Sequence, residues 1–131
     1  MISVDFSNLN MENLEDTQKL FHSYISLTYI NFSNVKTFNL TENTGMLDGC
    51  ISLTSIDLSS LYTNKPVDIG EIFYYCPNLS YIDISSFKCA DGFSFGMFSN
   101  LPNFGIIKVN KNCSNEIEKY IPTNWTLIII D

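Results

Sequence analysis

With 131 residues and 45% hydrophobic content, the chain is long enough for one compact core and too apolar to be disordered. Its net charge is −7, and its seven lysines are scattered with no arginine among them, which excludes the clustered basic face that nucleic-acid binding requires. The longest apolar run, residues 127–130, falls far short of the roughly 20 residues of a membrane-spanning helix, so no membrane insertion is expected.

The chain opens on Met1-Ile2-Ser3-Val4-Asp5, which has no basic start and reads as the beginning of a strand rather than a signal peptide. Cut before Ser26, Ser52, Asn78 and Asn103, the remainder falls into segments that superimpose. Leu27, Leu53, Leu79 and Phe104 share one column at spacings of 26, 26 and 25. Ile30, Ile56, Ile82 and Ile107 form a second column, and Phe32, Leu58, Ile84 and Val109 a third. Val4 and Phe6 carry the last two columns back into the first segment. Later in each segment come Phe21, Leu47, Phe73 and Phe98, followed three residues on by Tyr24, Cys50, Cys76 and Leu101. The units run about 1–25, 26–51, 52–77, 78–102 and 103–131.

Each unit starts with an alternating stretch such as Ile56-Asp57-Leu58, the pattern of a strand with one buried face. About ten residues later, Asp68-Ile69-Gly70-Glu71 has the spacing of a capping box and predicts a short helix with Ile69, Ile72 and Phe73 on one face, stopped by Pro77. The last unit departs from the period. Residues 112–131 are expected to form a cap: a helix over 114–121, started by Asn112 or Ser114 and ended by Pro122, then a strand from Trp125 to Ile130. Trp125, the single tryptophan, is expected to cover the open end of the core.

Such units cannot bury their apolar faces alone, but a stack of them can. The expected fold is a single-domain α/β solenoid, a right-handed superhelix with a parallel sheet on its concave face and short helices or turns on its convex face. The ladder Leu53-Thr54-Ser55-Ile56-Asp57-Leu58 resembles the leucine-rich repeat. The 26-residue period, the Gly49-Cys50 pair and the run from Cys76-Pro77-Asn78-Leu79 to Ile82-Asp83 look more narrowly like the BspA-type subfamily. The resemblance covers nearly the whole chain and departs where Tyr24 and Leu101 stand in place of Cys. It implies a cell-surface location and an adhesive role, as in proteins of bacterial and protist surfaces, with no catalytic residues to carry over.

The function expected is therefore non-enzymatic recognition of a protein or glycan through the concave strand face. The alternative is a structural terminal segment of a longer array. The first strand has nothing before it to cover its edge, so self-association through this end, or further units upstream, is also expected.

Outward strand positions supply the candidate site. One outward column is Ser3, Tyr29, Ser55, Tyr81 and Ile106, and the next is Asp5, Asn31, Asp57, Asp83 and Lys108. Adjacent strands lie about 4.8 Å apart, so Asp57 and Asp83 are expected side by side, needing water, a cation or a partner's basic group. Tyr29, Asn31, Asp57, Tyr81 and Asp83 are the candidate binding residues. An open strand face offers a poor setting for acid catalysis, and no Ser/His/Asp setting is expected around His22. No cofactor and no dedicated metal site are expected, since neither a calcium loop nor a zinc spacing occurs.

Cys50 and Cys76 share a column on adjacent units, close enough for a disulfide, but read better as small buried residues; with Trp125 they are the expected structural residues. Cys89 and Cys113 lie at nearly matching offsets, with their bonding left open. Asn31, Asn39, Asn78, Asn112 and Asn124 each head an Asn-x-Ser/Thr triplet, which this Asn-, Ser- and Thr-rich composition produces readily.

Overall fold

A computed structural model describes residues 1–89 and 95–131; residues 90–94 of the fourth unit lie outside the described residues. The elements are strands β1 (Ile2–Asp5), β2 (Leu27–Asn31), β3 (Ser55–Asp57), β4 (Tyr81–Ile84) and β5 (Gly105–Asn110), helix α1 (Lys111–Ile117) and strand β6 (Trp125–Ile130). A 3-10 turn, Phe95–Phe98, precedes β5. Every strand pair is parallel, in two sheets ordered β1-β2 and β3-β4-β5-β6. The protein is thus a small α/β protein with parallel sheets and few helices.

The strand pairs follow the sequence columns. Ser55, Ile56 and Asp57 pair with Tyr81, Ile82 and Asp83, and these pair in turn with Ile106, Ile107 and Lys108. Alternation sends Ile30 and Phe32, with their equivalents in the next units, into a continuous core that Leu27 and its equivalents join from ahead of the alternating stretch. Phe6 and Phe32 stack there with ring centroids 5.4 Å apart.

Strands β1 to β4 each stop for a local reason. Asp5, Asn31, Asp57 and Asp83 each accept, on Oδ1, the backbone N–H two residues on, at 2.8, 3.0, 2.9 and 3.0 Å. In the last three the serine hydroxyl of that second residue donates to the same oxygen. This Asx turn offers the backbone an alternative to further ladder bonds and bends the chain out of the sheet.

The wall opposite the strands differs from the sequence expectation. The helix predicted from Asp68 onward is instead a run of consecutive turns, and Asp68 accepts from Gly70 N–H at 2.8 Å rather than from Glu71. In the first unit Leu20, His22 and Tyr24 N–H close local turns onto Thr17, Lys19 and Phe21 C=O. The amides between them, on Lys19, Phe21 and Ser23, donate to Thr44, Met46 and Asp48 of the next unit at 3.2, 2.9 and 2.8 Å. Gly45, Leu47 and Gly49 repeat the pattern onto Gly70, Ile72 and Tyr74. An α-helix would consume all these amides internally; here half of them join neighbouring units. The geometry needs left-handed residues at fixed places, Lys19 and Ser23, Gly45 and Gly49, then Glu71 and Tyr75, with φ between 53° and 76°.

The C-terminal cap forms with shifted bounds. Helix α1 begins at Lys111, with Asn110 as N-cap accepting from Asn112 N–H, one turn earlier than expected. Phe104, expected in the first core column, is 71% exposed. Trp125 takes over its role: paired with Gly105, it buries its ring and donates from Nε1 to Pro102 C=O at 2.9 Å. A side chain on Gly105 would have no room, since a Cβ there would lie 2.5 Å from that ring. Among the described residues no helix is long and apolar enough to cross a membrane.

Cys50 and Cys76 are free and fully buried, while Cys89 and Cys113 form a disulfide with Cα atoms 5.5 Å apart. The Cys50 thiol donates to Phe21 C=O at 3.2 Å and the Cys76 thiol to Leu47 C=O at 3.1 Å, so each ties its unit to the preceding one. Burial pushes the Cys50 thiol up to about 11 and the Cys76 thiol up to about 12. Both stay protonated and unreactive at neutral pH.

Candidate functional site

The register that joins the strands stops between β2 and β3, which belong to different sheets. On the opposite wall the same two units remain joined by the donors of Asn43, Gly45, Leu47 and Gly49, at 2.9 to 3.1 Å. The stack is therefore closed behind and open in front. A cleft of about 280 Å³ occupies the opening.

Tyr29 and Asn31 line this cleft from β2, Ser55 and Asp57 from β3, and Tyr81 from β4. The fold thus brings together four of the five residues singled out in the sequence. The fifth, Asp83, does not line it and is 7% exposed. Asp57 and Asp83 do pair side by side, and the cation that sequence reasoning asked for comes from the chain itself. Lys108, beside Asp83 in register, places Nζ 3.8 Å from its Oδ2 and 5.6 Å from the Tyr81 ring centroid. Tyr81 first, and then Asp83, hold the Lys108 ammonium above the usual lysine range, with Asp57 its weakest influence.

Asp57 has no such lysine beside it. Its neighbour across the opening is the neutral Asn31, and among the described residues it is the one charged residue lining the cleft. Its Oδ1 is committed to Ser59, leaving Oδ2 for a ligand. Asn31 commits its Oδ1 to Ser33 in the same way, and its side-chain amide donates to the Asp5 carboxylate in β1. Two tyrosines, of which Tyr29 is half exposed, stand either side of the small Ser55, Tyr81 paired with it in the sheet and Tyr29 across the opening. The arrangement suits a polar or charged group presented between two rings.

A second recess of about 290 Å³ opens on the flank of the first three units, lined by Glu15, Phe38, Asn39, Leu40, Thr41, Asn64 and Lys65. It has one aromatic ring, and its charges are of both signs. Among the described residues no cluster of metal-ligating side chains occurs.

Sequence reasoning missed one constellation. Stacking carries Asp48 to His22, whose Nδ1 lies 3.0 Å from Asp48 Oδ2, and His22 Nε2 lies 3.2 Å from Ser23 Oγ. The three groups have the order of a catalytic triad, and Ser23 is left-handed. The surrounding amides are already committed, however: Ser23 N–H to Asp48, Tyr24 N–H to Phe21, Ile25 N–H to Ser23 and Gly49 N–H to Tyr74. Among the described residues, none of these amides is left to stabilise an oxyanion, and neither recess includes them. The contact serves as a tie between the first two units. The 26-residue spacing of His22 and Asp48 was the signal that would have found it.

Comparison with known protein families, with curated protein sequences and with solved structures finds no match to this chain.

Proposed function

We propose that this protein is a non-enzymatic recognition module of leucine-rich-repeat type, a right-handed solenoid that binds a protein or glycan at its strand face. The observation that carries the reading is the cleft between β2 and β3, where Tyr29, Asn31, Asp57 and Tyr81 converge on one opening. The 26-residue columns and the BspA-type phrases support the solenoid reading, and with it a surface location and adhesion. Aromatic rings beside a polar floor are the residue types that dominate binding energy at recognition surfaces.

Peptide and glycan libraries selected against the wild-type chain test it. Binders so obtained should lose about tenfold in affinity on Tyr81→Ala, as aromatic anchors do. Binders that are indifferent to Tyr29→Ala and Tyr81→Ala would move the recognition surface to the turn wall and end this reading.

A second reading, stacking against further units of the same kind, draws on Ile2, Leu9, Leu20, Tyr24 and Ile25 of the first unit, all of them about half exposed. Concentration-dependent self-association that Leu20→Glu abolishes would favour it.

A further inference from the structure

We infer that the β2/β3 cleft takes the cationic side chain, an arginine guanidinium or a lysine ammonium, of a protein partner. The inference rests on the strand-face reading above and names the ligand chemistry of that site.

The protein contains its own pattern for such a complex one unit further along. At the closed junction a lysine ammonium sits at Asp83, 3.8 Å from the carboxylate, and over the Tyr81 ring at 5.6 Å. At the open junction the same column provides Asp57, but the position beside it holds Asn31. The carboxylate is exposed, its Oδ2 has no protein partner among the described residues, and Tyr29 and Tyr81 flank the opening. A cation entering there would meet one carboxylate oxygen beside Tyr29, with Tyr81, whose ring already carries Lys108, on the far side, a combination that favours arginine over a neutral polar group. Asn31, being neutral, brings no charge to compete with the ligand. At long range the net charge of −7 draws a basic partner in.

Asp57→Asn is a clean probe of this charge. Asn31 already performs the strand-ending turn in the preceding unit, accepting from Ser33 N–H and Oγ as Asp57 does from Ser59. The substitution therefore keeps the turn and removes only the charge.

The experiment is an NMR titration of the full chain with an amidated, acetylated peptide, Gly-Ser-Gly-Arg-Gly-Arg-Gly-Ser-Gly, and with its citrulline counterpart. The arginine peptide should shift the amides of Tyr29, Ser55 and Asp57, and the citrulline peptide should not. Affinity should fall about tenfold in Asp57→Asn, the scale of a charge-assisted contact, and stay unchanged in Asp131→Asn. Binding of equal strength to wild type and Asp57→Asn would reduce the effect to general attraction and overturn the inference. A panel of methyl glycosides separates the two levels of the argument. Glycosides that shift the cleft amides while the arginine peptide does not would sink the cation but keep the strand-face reading. Silence of the cleft to both, with library binders mapping to the turn wall, would sink both.

Discussion

Asp57 and Asp83 stand one unit apart in the same column, carry the same turn to a following serine, and end in different environments. Around Asp83 the sheet is continuous, strands flank it on both sides, and Lys108 answers its charge. Around Asp57 the sheet ends on one side, the carboxylate is exposed, and the facing residue across the gap is an amide. The repeat supplies the same residue to both places, and the junction decides whether it is part of the structure or open to a ligand. A parallel ladder satisfies backbone groups and fixes side chains against each other. Where it lapses, both become accessible.

The contrast can be broken most severely at its closed end. Trp125→Ala removes the ring that covers the core over Gly105 and should cost about 3–5 kcal/mol in urea unfolding, the range for deleting a large buried aromatic. The loss should reach β4 and β5 before β1 and β2. A smaller effect comes from the Cys89–Cys113 disulfide, which closes a 24-residue span within the same half. Replacing both cysteines by alanine should lower stability by about 2–4 kcal/mol through the freer unfolded chain, read from the same unfolding curves.

The open junction is sharpened by the smallest change. Gly49 is left-handed, and its N–H is one of the donors that join the second and third units behind the cleft. A Cβ there would stand 3.3 Å from Ser23 Oγ. Gly49→Ala should cost about 1 kcal/mol. Its mark should be faster hydrogen exchange across β2 and β3, with β4 and β5 unaffected. Uniform acceleration along the chain would mean that the two junctions are not independent, and that the comparison drawn from Asp57 and Asp83 fails.

Much of the strand wall was legible in the sequence. Columns 26 residues apart, with period-two alternation, are sufficient to place Ser55, Ile56 and Asp57 opposite Tyr81, Ile82 and Asp83. The turn wall was not. Leu20, Phe21 and Tyr24 have the spacing of a helical face, and only the neighbouring unit decides that alternate amides leave the chain to reach it. The Asp/Asn-x-Ser turns stand in the columns at 5, 31, 57 and 83, but their hydrogen bonds are local and leave no apolar trace to announce them. The cleft left no sign at all. Leu27 to Leu53 is the same 26-residue step as Leu53 to Leu79, so nothing in the spacing marks where the ladder parts. The Cys89–Cys113 bond fell off the 26-residue clock, which is why the residues left it open.

The strand-ending turn carries one more consequence. It uses a single side-chain oxygen, and aspartate and asparagine supply that oxygen equally well, as positions 57 and 31 show. The fold therefore dictates the shape of this position and leaves its charge unspecified. Selection can rewrite the electrostatic print of the face, one unit at a time, by exchanging two side chains of nearly the same size, while every strand and turn beneath it stays where it is.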